Sequence, residues 1–228
     1  MGSNYLNYNV DIVFCIDATM SMYKLLDKVK ANALNFHRDL TVIMESKGKK
    51  VNQLRARVVA FRDYVYDKEK AMLVTDFFNL PQQSLDFANC IKSIVPEGGG
   101  DDPEDSLEAL AYAIRSDWNT QQDAMNRQVI VLWTDAEPHE LGFGRKSEFY
   151  PNGMPETING LSAWWGAPGV PGYMDERGKR LLVYAPECPS WNLITQSWNN
   201  SLFYPSVAGD GLNEHEYQAI VHAVAESV

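Results

Sequence analysis

Two apolar, β-branched runs in this chain stop abruptly at an aspartate. Val10–Ile16 (VDIVFCI) runs into Asp17, and Gln128–Trp133 (QVIVLW) runs into Thr134-Asp135. Near-continuous hydrophobicity over such a length is the pattern of strands covered on both faces, as in a parallel sheet. Parallel neighbours need crossover connections, usually helices. From Met22 the period lengthens to three or four: Met22, Leu25, Val29, Ala33, Phe36, Leu40 and Ile43 mark one helical face of about six turns. That helix is expected to end near Gly48, after a lysine-rich last turn that suits the helix dipole.

The remaining elements follow the same alternation. Arg55–Tyr64 (RARVVAFRDY) and Ala71–Phe78 (AMLVTDFF) read as strands. Only the charged stretch Asp67–Lys70 separates their cores, which suits an antiparallel hairpin at a sheet edge. Ser84–Ile94 reads as a short helix capped by Ser84. After Glu97-Gly98-Gly99-Gly100, Asp102 is placed to cap a further helix with Pro103 at its first position. Leu107, Leu110, Ala111 and Ile114 would form its buried stripe. Lys179–Ala185 and Leu202–Tyr204 read as strands, Ser190–Trp198 and Asn213–Val228 as helices. Glu137–Arg177 is rich in Gly, Pro and aromatics, with a weak helix around Glu156–Trp165. It reads as a long insertion over one end of the sheet. The expectation is a single domain over residues 1–228. Its fold class is α/β, doubly wound, with a mostly parallel central sheet, helices on both faces and one antiparallel edge strand. Ligands of such sheets bind at the carboxyl ends of the strands.

Those ends carry oxygen. Asp17, Thr19 and Ser21 follow the first strand, Asp101 and Asp102 follow the triple glycine, and Asp135 follows QVIVLWT. Carboxylates and hydroxyls without Cys or His are ligands for Mg²⁺, Mn²⁺ or Ca²⁺. Asp-x-Thr-x-Ser lets a tight turn aim alternate side chains at one point, and the glycines let a second backbone approach. In this order the motifs resemble the von Willebrand factor type A (VWA) domain and its metal-ion-dependent adhesion site (MIDAS). Asp17-Ala18-Thr19-Met20-Ser21 is similar to the family's first loop, and Thr134-Asp135 to its third. Asp101 stands where the second loop usually has Thr. FRDY (Phe61–Tyr64), GGGDDPED (Gly98–Asp105) and TDAEPH (Thr134–His139) further resemble the intracellular branch found with the α-kinase-like VwkA proteins. The resemblance implies a Rossmann-like sheet and a divalent ion, usually Mg²⁺, with Mn²⁺ or Ca²⁺ as alternatives. It implies Asp17, Thr19, Ser21, Asp101 and Asp135 as metal residues, with a partner's acidic side chain completing the shell. Asp101 in place of Thr would add a third carboxylate and turn a neutral site net negative, which should hold the ion tightly and attract an acidic partner less.

Blander readings stand beside these. Asp102 and Glu104 read as capping and charging a helix N-terminus rather than binding metal. Asp63 reads either as hydrogen-bonding the loops from behind or as a solvated strand end. His139 lacks a second His or Cys at zinc-ligand spacing, and His215-Glu216 lacks the second histidine of HExxH. Trp164, Trp165 and Tyr173 are a partner surface or the insertion's own small core.

Composition excludes several classes. The 228 residues carry a net charge of −10, which argues against nucleic-acid binding. No apolar run is long enough to span a membrane. The start, MGSNYLNYNVDIV, has no basic region or cleavage site of a secretory signal, and Leu6 breaks a myristoylation motif. Cys15, Cys90 and Cys188 form no CxxC. They read as buried reduced thiols of a reducing compartment, with a metal–thiolate site as the lesser alternative. The resemblance implies, as bacterial and intracellular members of the family suggest, a cytoplasmic protein-interaction module, an adaptor in a multi-component system that docks a protein partner at the metal edge. The alternative is a Mg²⁺- or Mn²⁺-dependent hydrolase of phosphate esters.

Overall fold

The computed structural model describes residues 6–210, 212 and 217–228. In chain order the elements are β1 (Leu6–Asp17), α1 (Tyr23–Asn32), α2 (Phe36–Ser46), β2 (Lys49–Phe61), β3 (Met72–Val74), β4 (Phe78–Leu80), α3 (Ser84–Ser93) and α4 (Ser106–Ile114). They continue with β5 (Met125–Trp133), α5 (Ile158–Trp165), β6 (Gly166–Ala167), β7 (Val170–Pro171), β8 (Lys179–Pro186), α6 (Pro189–Ser197), β9 (Ser201–Ser206) and α7 (Tyr217–Ser227).

The main sheet runs β3-β2-β1-β5-β8-β9, with β4 also on β2. β2, β1, β5, β8 and β9 are parallel; β3 and β4 are antiparallel to β2. This is the expected doubly wound α/β architecture. β1 shows why both faces need cover. Val10, Ile12, Phe14 and Ile16 point into one core with the apolar faces of α1, α2, α3 and α7. Val13 and Cys15 point into the other, against α4, α5 and α6. Phe14 stacks on Trp133 and meets Phe36 edge-on, both at 5.2 Å between centroids. The three cysteines are free.

Several local expectations are corrected. The long first helix is two, α1 and α2, joined by a tight 3₁₀ turn at Ala33–Asn35. Asn32 turns its amide back to the Lys28 carbonyl at 2.7 Å, the local side-chain competition that bends helices. The buried face still runs through Met22, Leu25, Val29, Ala33, Phe36 and Leu40, finishing on Met44. The edge strand is split into β3 and β4. Between them Thr75 pairs with Val58 through both its backbone N–H and its hydroxyl, each at 3.0 Å. Ser84 lies inside α3 and makes no cap; Gln83 precedes it. Of the expected closing helix, Asn213–Glu216, with His215, lie outside the described residues.

The insertion starts over the carboxyl end of the sheet, with His139 against Asp63 and Tyr150 on Tyr64, and extends beyond it. It leaves β5 at the carboxyl edge and crosses the α4 face, where Leu161 and Trp165 of α5 are fully buried. It returns at the opposite end, where Lys179 opens β8. There the buried Lys179 Nζ donates to the carbonyls of Trp165 (2.7 Å) and Gly166 (3.3 Å) and stands 4.8 Å from the Trp165 ring centroid. Trp165 is therefore core. Trp164 is half-buried, edge-on to the exposed Tyr173 at 5.3 Å.

Candidate functional site

The parallel register puts the loop after β1 and the loop after β5 side by side. Ile16 pairs with Trp133 and Asp17 with Phe61, so Asp17, Arg62 and Thr134 leave the sheet at one edge. The Asp17 carboxylate is fully buried. Its Oδ1 accepts from the Thr19 N–H (2.9 Å) and the Thr19 hydroxyl, and its Oδ2 from the Thr134 hydroxyl (2.7 Å). The Ser21 hydroxyl donates to Asp135 Oδ1 (2.9 Å) and lies 3.3 Å from the Thr19 hydroxyl. One continuous run of oxygens therefore links Thr134, Asp17, Thr19, Ser21 and Asp135. Burial pushes Asp17 up to about 6; the Thr19 and Thr134 bonds pull against this, and the Asp135 charge adds to it. An all-oxygen donor set, carboxylates and hydroxyls on a rigid sheet edge, fits a hard divalent cation.

Asp101 takes a different neighbour. Its Oδ1 lies 3.3 Å from His139 Nε2, which is 2.7 Å from Asp63 Oδ2. Asp63, His139 and Asp101 thus offer one ligand atom each within 4.8 Å. Phe143 stacks flat on the imidazole at 3.9 Å. Asp63 is not a solvated strand end. It is fully buried, and its Oδ1 accepts the N–H groups of Val65 and Tyr66. Asp101 and Asp135 nevertheless line the same open cleft of about 720 Å³, together with Ser21, Gly98 and Gly99. The structure therefore brings Asp17, Thr19, Ser21 and Asp135 together and sets Asp101 on their rim, against the histidine.

Arg62, behind the cleft, escaped the sequence reading, and Glu104, in its wall, was taken for the charge of a helix N-terminus. Arg62, buried, donates to the carbonyls of Ala18 (3.1 Å), Glu97 (2.8 Å), Lys70 (2.7 Å) and Val95 (2.6 Å). It ties the first loop to the segment that leads into the glycines. Glu104 belongs to no helix, and Asp102 caps none, because α4 starts only at Ser106. Glu104 instead forms a parallel bridge with Pro138: its N–H donates to the Glu137 carbonyl (3.0 Å), and the His139 N–H donates to its carbonyl (2.9 Å). The second and third loops are stitched together there. The side chain is 3% exposed, and burial, reinforced by Asp17, Asp63, Asp67 and Asp105, pushes its carboxyl up to about 10. A signal for Arg62 existed in its place between Phe61 and Asp63 at a strand end. For Glu104 the sequence held only a helix-start pattern.

The cleft is anionic. Asp101, Asp102, Glu104, Asp135 and Glu137 line it, and no Lys, Arg or His does so among the described residues. No helix of the described residues is long and apolar enough to cross a membrane.

The chain was compared with known proteins. No curated protein sequence matches it. In fold it is similar to the pilus adhesin SpaC from Lactobacillus rhamnosus GG in an open conformation, with a TM-score of 0.54 at 12% identity, covering 96% of this chain and 30% of that one. It is similar to a von Willebrand factor type A protein from Catenulispora acidiphila, with a TM-score of 0.54 at 14% identity, covering 97% and 43%. It is also similar to proximal thread matrix protein 1 of the mussel byssus, solved with zinc in its MIDAS motif, with a TM-score of 0.50 at 13% identity, covering 97% and 49%. This chain thus spans less than half the length of each of these. Residues 11–143, more than half of the chain, match the family model described as von Willebrand factor A domain, and the chain belongs to that family.

Proposed function

We propose that the carboxyl edge is a divalent-cation-dependent docking site for a protein partner. In this reading Asp17, Thr19, Ser21 and Asp135 hold the ion, Mg²⁺ first and Mn²⁺ or Ca²⁺ as alternatives. The second loop adds an acid, with Asp101 at the position where the resemblance places a threonine. The cation supplies a Lewis-acidic point with an open position, and the protein's oxygens orient it. The observation that carries the reading is the oxygen run from Thr134 to Asp135, which joins residues as far as 117 positions apart. They meet where the loops after β1 and β5 leave the sheet, and Thr19, Ser21 and Asp135 open into the acidic cleft.

The likeness to solved structures extends over 96–97% of the chain, which supports one VWA domain over residues 1–228 carrying the 137–177 insertion. FRDY, GGGDDPED and TDAEPH support the VwkA-like intracellular branch, and with it a cytoplasmic adaptor role. An anionic cleft suits a basic or neutral partner group better than a carboxylate. It also repels phosphate esters, which favours docking over their hydrolysis. Calorimetry with Mg²⁺ tests the site: binding by the native protein that is lost in Asp17→Ala and Asp135→Ala is expected. Equal binding in those variants, or turnover of phosphate esters abolished by Asp17→Ala, would overturn the reading.

A further inference from the structure

Resting on the cation site just described, we propose that Glu104, rather than Asp101, supplies the second loop's carboxylate to the ion. Glu104 lines the cleft yet is 3% exposed, and its Oε2 has no hydrogen-bond partner. A buried carboxylate oxygen without a donor is costly, and here its neighbours are Asp17, Asp63 and Asp105. The guanidinium of Arg62 gives its bonds to four carbonyls. A divalent cation held by Asp17 is the group that would compensate this carboxylate.

Position agrees. Gly99 has φ +82°, and a Cβ there would stand 3.1 Å from Glu104 Oε1 and 3.3 Å from Thr19 Cγ2. The glycine leaves room for the Glu104 carboxylate to lie against the first metal loop. Its backbone is fixed on both sides by the bridge to Glu137 and His139, one turn of chain from Asp135. Asp101 is the opposite case, with its side chain 35% exposed and facing His139. A rim carboxylate of this kind tunes the approach of a partner without holding the ion. With Asp17, Asp135 and Glu104 on a divalent ion, the loaded site keeps a net negative charge, so an acidic partner group is a poor ligand for it.

The test titrates Mg²⁺ calorimetrically, and Mn²⁺ by its paramagnetic resonance signal, into the native protein, Glu104→Gln, Glu104→Asp and Asp101→Asn. Thermal unfolding is measured beside it in EDTA. Affinity is expected to fall roughly tenfold or more in both Glu104 variants, by the scale of losses at metal shells, and to change less than about threefold in Asp101→Asn. In EDTA, Glu104→Gln should melt at or above the native temperature, because an uncompensated buried acid has been neutralised. A lower melting temperature in EDTA would mark Glu104 as a structural group and overturn the assignment. Native affinity in Glu104→Gln, or the larger loss in Asp101→Asn, would overturn it alone. No binding by the native protein would overturn the cation site and this assignment together.

Discussion

Arg62 is the residue on which most separate pieces of the site edge depend. Its guanidinium reaches the carbonyls of Ala18, Lys70, Val95 and Glu97, and the Ala18 carbonyl also accepts the Glu97 N–H. Arginine has five donors in a rigid fork, and lysine has three on a flexible stem. Bonds from a charged group are worth about 1.5–3 kcal/mol each. Arg62→Met should therefore cost at least about 3 kcal/mol in urea unfolding, and Arg62→Lys should recover less than half of that. A loss under about 1 kcal/mol would show that the carbonyls find other donors. The Asp63–His139 pair is the second such residue-scale device. Asp63→Asn is expected to weaken Mg²⁺ binding only a few-fold, by loosening the loop that carries Asp135, and calorimetry would read that directly.

At the scale of elements, the second loop shows which parts of a sequence carry their own structure. Gly98 has φ +80°, and a Cβ there would fall on the Asp67 carboxylate. Gly98→Ala should thus destabilise by about 1–3 kcal/mol, measured by chemical denaturation. The central strands were legible because burial on two sides leaves a plain apolar signature, as in Val10–Ile16 and Gln128–Trp133. The meeting of Asp17, Thr19, Ser21 and Asp135 at one sheet edge was legible because they directly follow such strands. The start of α4 was not. Asp102-Pro103-Glu104 has the composition of a capped start, but the pairing of Glu104 with Pro138 holds it extended and delays α4 to Ser106. A long-range bridge of this sort leaves no local trace. The break between α1 and α2 failed similarly, since Asn32 is compatible with either outcome and the buried stripe runs straight through it. Asp101 was placed by its position in the motif, and nothing in the chain foretold that His139 would claim it.

Over the whole molecule, the side of the sheet carrying α4 collects acids. Burial, ahead of other acids, holds Asp105 up to about 8 and Glu104 up to about 10, and burial likewise raises Glu108, against the bonds from Gly142 and Tyr150. The folded state keeps protons that the unfolded chain sheds above the usual carboxylate range. Stability in EDTA should therefore be full at acid pH and decline as pH rises from about 4.5 through neutrality. Urea titrations at about pH 5 and 8 check this, and Glu108→Gln should show a shallower decline. Saturating Mg²⁺ should oppose it, raising stability by about 2.7 kcal/mol at a hundredfold excess over Kd. The opposite end of the molecule has its own obligation. Lys179 is a buried ammonium that donates its hydrogen bonds to the carbonyls of Trp165 and Gly166, inside the insertion. Excising residues 137–177 would remove both acceptors of that ammonium and the buried Leu161 and Trp165 that cover the α4 face. The excursion is therefore no removable ornament: a shortened version of this protein would need new apolar cover for the face that Leu161 and Trp165 now close.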